Sequence, residues 1–560
     1  RSNLRANINI NLTETTKIAV KFYSLFERYN GPSESANGIF GNVMNANPVN
    51  FPKFYEYENN LGYNHTLFGN KGNGGYPNPY ADMVKGYKDR FTNTILSQVQ
   101  LEQDLGFITE GLKFRGLASV RTYAENENKR SYNPFYYGTA ELETEEGLLY
   151  YLYQISEGTE YLNSPEINNY SNSNFYYEFT TEYNRIFEEK HEIGGLLVFN
   201  FSESLNTISG SSDFASLPSR NMGLSGRFSY NFDSRYYAEF NFGYNGSEKF
   251  AEDNRFGFFP SVGFGWIASN EKWFEEMNSS ITLLKFKITN GKVGNDAISS
   301  ASDRFFYLSD VNLNYGDNGY SWGLDYNNYT SGYLIDRYSN PNVTWEVAEK
   351  TNFGLELEIN KALNLQVDYF TEHRTQIYME RNYIPESMGL TTGISSNLGE
   401  VKSKGIDASM DYNQAFSSGL YITGRANFTY ATNEIILNGD PIYEFDNLSR
   451  IGYPVNQPFG LIAERLFIDA EDIANSPEQF NGFSSSSNAY LPGDIKYTDL
   501  NGDGVVNEND MTAIGSPQVP EIIYGFGISA GYRDFDLSIF MQGAAKVSFF
   551  INPNDISPFV

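Results

Sequence analysis

The sequence predicts an all-β fold, a transmembrane antiparallel β-barrel with long extracellular loops, and three observations carry that prediction. Apolar and polar residues alternate strictly in paired segments, the apolar parity is crowded with Phe and Tyr, and very short turns alternate with very long polar loops. A soluble sandwich would share the alternation. The difference here is that the parity opposite the aromatics is almost wholly polar and the segments reach the roughly 9–11 residues that a tilted strand needs to cross a bilayer.

The pattern is clearest in two hairpins. Leu224, Phe228, Tyr230 and Phe232 share one parity, with Ser225, Arg227, Ser229 and Asn231 on the other; after a turn at Asp233-Ser234, Ala238, Phe240, Phe242 and Tyr244 resume the apolar side. Phe353, Leu355, Leu357 and Ile359 repeat the design, turn at Asn360-Lys361, and return as Leu363, Leu365, Val367 and Tyr369, against Glu356, Glu358, Gln366 and Asp368. This parity places Phe228, Tyr230, Phe240, Leu355, Leu357, Leu365, Val367, Ile422 and Phe428 toward lipid. It turns Arg227, Asn241, Glu356, Gln366, Arg425 and Asn427 toward the lumen.

Taken in order, candidate strands start near Asn3, Lys17, Phe91, Gly111, Phe175, His191, Asn221, Tyr236 and Phe258, and then near Ile281, Thr344, Leu363, Asn397, Ser418, Pro458, Glu521 and Asp534. Thr13 to Thr16, Asp233 to Arg235, Asn360 to Ala362 and Asn413 to Ser418 are short and read as periplasmic turns. Glu27 to Arg90, Ala124 to Asn174, Val293 to Val343, Thr371 to Ser396 and Glu464 to Pro520 are long and read as extracellular loops.

Composition agrees. The 560 residues include 16% aromatics, 50 Gly and no Cys, and only 19% are charged, so the negative mean hydropathy comes largely from Asn, Ser, Thr, Gly and Tyr. No run approaches 18 apolar residues, which removes transmembrane helices but not a barrel. The net charge of −29, from 40 basic and 69 acidic residues, argues against a nucleic-acid partner. The absence of Cys removes disulfides and thiolate metal sites. The chain opens inside a strand pattern, with Leu4, Ala6, Ile8 and Ile10 against Arg5, Asn7, Asn9 and Asn11, and the pattern at Phe535, Leu537, Ile539 and Met541 runs on into Phe549 to Val560. We expect residues 1–560 to be the central part of a single barrel domain.

Specific strings then narrow the reading. Asn245-Gly-Ser-Glu-Lys-Phe250 is followed by Asn254-Arg255-Phe256-Gly257-Phe258-Phe259-Pro260-Ser261-Val262-Gly263-Phe264-Gly265-Trp266, and then by Trp273-Phe274. Further on come Gly291-Lys292-Val293-Gly294-Asn295-Asp296, Asn397-Leu398-Gly399-Glu400 with Lys404-Gly405-Ile406, and Gly452-Tyr453-Pro454 with Phe459-Gly460. The series ends with Gly493-Asp494-Ile495-Lys496-Tyr497-Thr498-Asp499-Leu500-Asn501-Gly502-Asp503-Gly504, Ile514-Gly515-Ser516-Pro517 and Tyr524-Gly525-Phe526. In this order the strings resemble the SusC/RagA family of TonB-dependent outer-membrane transporters of Bacteroidetes. The resemblance runs from about Arg1 to Gly543 and is weaker in the loops. It implies the middle of a 22-stranded plugged barrel in the outer membrane of a Gram-negative bacterium, with the plug, the TonB box and the final strands absent from this chain. It further implies a transporter, not an enzyme, that imports oligosaccharides, with oligopeptides as the alternative cargo. The implied partners are a SusD-like surface lipoprotein, TonB, and outer-membrane lipid and lipopolysaccharide. A barrel-anchored surface adhesin or assembly component is a further alternative.

One segment carries metal chemistry on its own spacing. Asp499 to Asp510 reads D-L-N-G-D-G-V-V-N-E-N-D, placing oxygen ligands at positions 1, 3 and 5 (Asp499, Asn501, Asp503), Gly504 at 6, the Val505 carbonyl at 7, Asn507 at 9 and Asp510 at 12. That is the spacing of an EF-hand-type calcium loop, in which alternate side chains turn inward around a hard cation. Asp stands where Glu is usual at position 12, as in dockerin-like loops. The expected cofactor is a structural calcium ion; the same residues would also build an ion-free Asx-rich turn.

Two other patterns carry less. Gly319-Tyr320-Ser321-Trp322-Gly323 matches G-x-S-x-G but lies in a polar loop, and His65, His191 and His373 are too scattered to serve a nucleophile or zinc. Tyr307 to Tyr338 and Phe54 to Tyr87 are dense in Tyr, Trp and Asn. Such surfaces stack on sugars, or pack on other loops or on a protein partner.

Overall fold

The structure, a computed structural model, describes residues 1–46, 48–56, 64–72, 75–144, 147–208, 217–277, 280–299, 304–479 and 490–551. Its centre is one sixteen-stranded antiparallel sheet in which sequence neighbours pair throughout. The strands are Ser2–Asn11, Thr16–Pro32, Gly86–Asp104, Leu112–Ser131, Glu166–Phe187, His191–Ile208, Ser219–Phe232 and Tyr236–Ser247, then Phe256–Ile267, Ile281–Asn295, Glu346–Ile359, Leu363–Glu380, Ser395–Ala415, Leu420–Leu437, Ile522–Tyr532 and Phe535–Ala545. Most are longer than the predicted 9–11 residues, and the excess extends beyond the apolar zone toward the loops.

Turn chemistry sets the alternation of short and long connections. At Asp233-Ser234, Asn360-Lys361 and Glu188-Glu189 both central residues have φ between 51° and 57°. Positive φ at both positions matches the right-handed twist of flanking strands, and Asn and Asp tolerate it best among residues with a Cβ. The backbone closes each turn, as where the Arg235 N–H donates to the Phe232 carbonyl at 3.0 Å and Ala362 to Ile359 at 3.0 Å.

The predicted parities fall together. Arg227 pairs with Asn241 and Phe228 with Phe240, while Leu355 pairs with Val367, Glu356 with Gln366, and Leu357 with Leu365. On the apolar face one row runs Tyr230, Ala238, Phe264, Ile288, Phe353, Tyr369, Ile406, Tyr430 across eight strands. On the opposite face Lys285 and Lys287 reach Glu356 at 3.1 and 3.4 Å, Lys287 also reaches Asp368 at 3.1 Å, and Arg425 lies 3.4 Å from Asp411. An apolar face meeting lipid and a polar face meeting a wet lumen is the division an outer-membrane barrel requires.

Three features depart from the sequence expectation. The candidate strand at Pro458 contributes only Phe459–Gly460, which pairs with Thr512–Ala513 outside the main sheet, because the chain there folds back on its own loop. The loop from 124 to 174 contains the hairpin Tyr136–Thr144 with Gly147–Ser156, and the loop from 293 to 343 contains Asp310–Trp322 with Asn328–Arg337. The strand expected near Phe175 begins at Glu166, so it projects well above the membrane zone. Parts of the expected loops, and the C-terminal stretch 552–560, lie outside the described residues.

Candidate functional site

The long loops are built around small cores of their own. Phe250, Phe306, Val343 and Trp345 are buried together, with Phe259 and Tyr378 packed on them. The Phe250 and Trp345 rings lie 5.5 Å apart, and the Trp345 indole N–H donates to the Arg255 carbonyl at 3.3 Å. In a second loop region Phe68, Ala81 and Tyr137 are each buried, and Asn78 caps the helix Pro79–Val84 through the Ala81 N–H and also donates to the carbonyls of Lys53 and Gly69.

The third loop core surrounds the expected cation segment. Val505–Val506 pairs in parallel with Glu478–Gln479, and the Gln479 side chain accepts from the Tyr497 N–H at 2.7 Å while donating to the Ile495 carbonyl at 3.1 Å. Val506 and Phe467 are buried. Neighbouring Arg465 holds Asp472, which also accepts from the Ile468 N–H, and the arginine side-chain hydrogen bond is the largest of the effects holding the Asp472 carboxyl far below its ordinary range.

Within the segment, Gly502 and Gly504 have φ of 74° and 88°, which lets the chain turn tightly enough to draw its side chains inward. The Asp499 carboxylate accepts from the Gly502 and Gly504 N–H groups at 2.7 and 2.9 Å, and the Asp503 carboxylate from Val505 at 2.8 Å. Asp510 is fully buried; one oxygen accepts from Leu500 and Asn501 and the other from Asn507. Asn507 caps the short helical turn Glu508–Asp510, accepting from the Asn509 N–H at 2.7 Å. The Asn501 amide donates to Asp503 at 3.1 Å. Asp499, Asn501, Asp503, the Val505 carbonyl and Asp510 thus belong to one tightly turned loop of hard oxygen donors. Asn507 is committed to its cap. Among the described residues no three or more His, Cys, Asp or Glu side chains converge to a metal-holding geometry. The Asn501 amide oxygen accepts from the Asp503 N–H at 2.9 Å.

Ser321 of the G-x-S-x-G string sits in the strand Asp310–Trp322 and pairs with Tyr329. The histidines hydrogen-bond elsewhere, His65 with Tyr137, His191 with the Tyr230 hydroxyl at 2.7 Å, and His373 with Glu400. Among the described residues none of these bonds reaches Ser321. The same hairpin carries a feature the sequence reading treated only as an aromatic-rich loop. Tyr320 pairs with Thr330 and Trp322 with Asn328, so two exposed rings two residues apart lie on one face beside an amide and a hydroxyl, and the Trp322 indole N–H donates to Thr330 at 3.1 Å. Strand pairing is the signal that places them side by side, and periodicity in a loop does not supply it.

No protein-family model matches the chain. Among curated proteins it is 25% identical over 332 residues to TonB-dependent receptor P3 of Formosa agariphila, covering 57% of this chain and 31% of that relative. It is 23% identical over 324 residues to TonB-dependent receptor SusC of Bacteroides thetaiotaomicron, covering 57% of this chain and 30% of SusC. The chain therefore spans about a third of the length of these relatives. A solved structure of the RagAB peptide importer superposes with a TM-score of 0.65 at 18% identity, over 97% of this chain and 58% of that one, which shows a shared β-barrel fold.

Proposed function

We propose that the chain, which is similar to SusC-like TonB-dependent receptors of the outer membrane, forms the barrel wall of a nutrient importer, with an oligosaccharide as cargo. The observation that carries this reading is the two-faced sheet: a lipid-compatible aromatic face and, behind it, a polar face lined by Lys285, Lys287, Glu356 and Asp368. Such a wall solvates a polar molecule or a plug while remaining anchored in hydrocarbon. The glycan assignment rests on the Tyr320–Trp322 face. Its neighbours Asn328 and Thr330 are uncharged, and an aromatic surface with amide and hydroxyl partners suits a ring whose CH groups stack while its hydroxyls hydrogen-bond. An oligopeptide is the second reading, favoured by the fold shared with RagAB, which is a peptide importer. A SusD-like lipoprotein is proposed to close over the loop cores, and TonB to supply the pull.

Calcium is proposed to order the Asp499 to Asp510 loop in the mature complex, as a structural ion held by hard oxygen ligands.

The test is growth of the source bacterium, lacking the gene, on a panel of polysaccharides and on peptides as sole carbon source. The reading expects loss of growth on one glycan, restored by the wild-type gene and poorly restored by Y320A/W322A. Unchanged growth on every glycan together with lost growth on peptides would overturn the oligosaccharide assignment.

A further inference from the structure

We infer that the outer half of the lumen wall sets the charge class of the cargo, passing uncharged oligosaccharides and turning away those that carry carboxylates or sulfates. The inference rests on the oligosaccharide reading proposed above and deepens it.

On strand Ser219–Phe232, Asn221 shares the luminal parity of Arg227. Through Asn221 a cross-strand row runs Gln98, Ser119, Tyr176, Ser202, Asn221, Ser247, and every member is an amide or a hydroxyl. Four residues further out, a shorter row runs Thr94, Tyr123, Asn172, Asn206. The row between them, through Arg121, Asn174 and Ser204, contributes the one charge of the field. Strands Glu166–Phe187 and His191–Ile208 join at the tight turn Glu188-Glu189, so these rows stand toward the extracellular end of the lumen. At about 3.3 Å per residue and about 4.8 Å between strands, the field is about 13 Å tall and about 24 Å wide.

Its chemistry matches a polyhydroxyl chain. The Asn174 amide donates to the Ser204 hydroxyl at 2.7 Å, and the Asn172 amide to Asn206. An amide offers two donor hydrogens and two acceptor lone pairs, so such pairs hold each other in place and keep hydrogen-bonding capacity toward the lumen. In the next row inward Gly223 stands between Asn200 and Asn245, where a Cβ would lie 2.6 and 2.5 Å from their amide oxygens; the missing side chain lets both amides stand on the wall. The Tyr123 and Tyr170 rings, 5.9 Å apart, add faces on which sugar CH groups stack.

Charge returns only at the margins, and there in opposite signs. Lys88 lies 3.3 Å from Glu127 on the outer side, where Arg90 and Glu125 also stand, and Arg115 lies 2.9 Å from Glu178 on the inner side. The charged stretch of lumen around Lys285, Lys287, Glu356 and Asp368 belongs to other strands. A polyanion crossing the field therefore meets a single guanidinium, Arg121. Its remaining charges lose hydration without a counter-charge, on a chain whose net charge of −29 already repels them. A neutral glycan exchanges water for amides and hydroxyls at little cost.

The experiment uses the source bacterium with the gene deleted and restored in the chromosome as wild type or variant. Uptake is measured with radiolabelled oligosaccharides of laminarin, cellulose, starch and mannan, each before and after oxidation of its primary alcohols to carboxylates, and with oligogalacturonate. Wild type is expected to take up a neutral probe in a gene-dependent manner and its oxidised form at least about tenfold more slowly. Ser202→Lys with Asn221→Lys, which sets two ammonium groups side by side on the wall, should shrink that ratio to about threefold or less, and the corresponding pair of Asp substitutions should widen it. Opposite responses to opposite charges separate selectivity from a merely damaged wall. Immunoblots verify each variant in the outer membrane; should the double lysine variant be missing there, Asn172→Lys carries the test. Equal entry of neutral and oxidised forms in wild type, gene-dependent uptake of oligogalacturonate, or a ratio unmoved by lysines in a variant present at wild-type level overturns the inference. Gene-dependent uptake of peptides and of no oligosaccharide overturns the cargo reading itself, so the two failures are told apart.

Discussion

Lys287 reaches across Gly354 to Asp368, its ammonium 3.1 Å from the carboxylate, although the residue between them in the sheet is Gly354. The bridge exists because Gly354 has no side chain: a Cβ built there would stand 2.0 Å from Lys287 Cε and 2.5 Å from Asp368 Oδ1. Gly354→Val should therefore displace Lys287 and destabilise the barrel by about 1–3 kcal/mol. In a Lys287→Ala background much of that penalty should vanish. Urea-dependent folding into lipid vesicles measures both, and equal penalties in the two backgrounds would show that the lysine is not what Gly354 accommodates.

The two faces should respond oppositely to charge. Leu355→Arg places a guanidinium on the lipid face and should cost about 2–4 kcal/mol near the bilayer midplane. Asn427→Arg, on the polar face opposite Ser409, should cost less than about 1 kcal/mol. The same vesicle assay decides, and similar costs at both positions would contradict the assigned parity.

Changing Asp499 and Asp503 together to Asn should lower calcium affinity by about tenfold or more and speed amide exchange in residues 499–510, leaving the heat-modifiable mobility of the barrel unchanged. Calorimetry and hydrogen exchange, each with calcium and with chelator, are the measurements. In a structure solved with calcium, ligand oxygens of Asp499, Asn501, Asp503, Val505 and Asp510 are expected at about 2.3–2.6 Å. A wild-type loop that gives no calorimetric signal in millimolar calcium returns the segment to an ion-free turn.

The Arg465–Asp472 pair predicts acid resistance in the same loop. Its folded-state carboxyl is depressed below the unfolded value of about 3.9, first by the arginine hydrogen bond and then by the Ile468 N–H. A depressed acid contributes stability above its unfolded pKa and loses it as pH falls through the folded one. Asp472 should therefore remain ionised at pH values where ordinary carboxylates are largely protonated, as read by carbon NMR of its carboxyl. In Arg465→Gln the midpoint should rise; a wild-type midpoint in the ordinary range contradicts the pair.

Sequence legibility followed the membrane. Where a strand faces lipid on one side and water on the other, as from Phe353 to Ile359, alternation is enforced and register could be read directly; the turn at Asn360-Lys361 was visible from composition. Above the membrane both sides of a strand meet water or another loop. Asp310–Trp322 and Tyr136–Thr144 therefore lack a clean period and read as loop. The tight Asx-rich turn at Asp499 to Asp510 was legible because the spacing of its Asp, Asn and Gly residues is a local property. The pairing of its Val505–Val506 with Glu478–Gln479, and the cross-strand row from Tyr230 to Tyr430, depend on strand register across long sequence separations, and no local pattern encodes them.

The buried cluster of Phe250, Phe306, Val343 and Trp345 gathers residues from two separate connections and seats Tyr378 of a third strand against them. Loops tied in this way act as a stiff collar and not as tethers. Whatever docks on the rim meets a preformed seat and loses little entropy in ordering it.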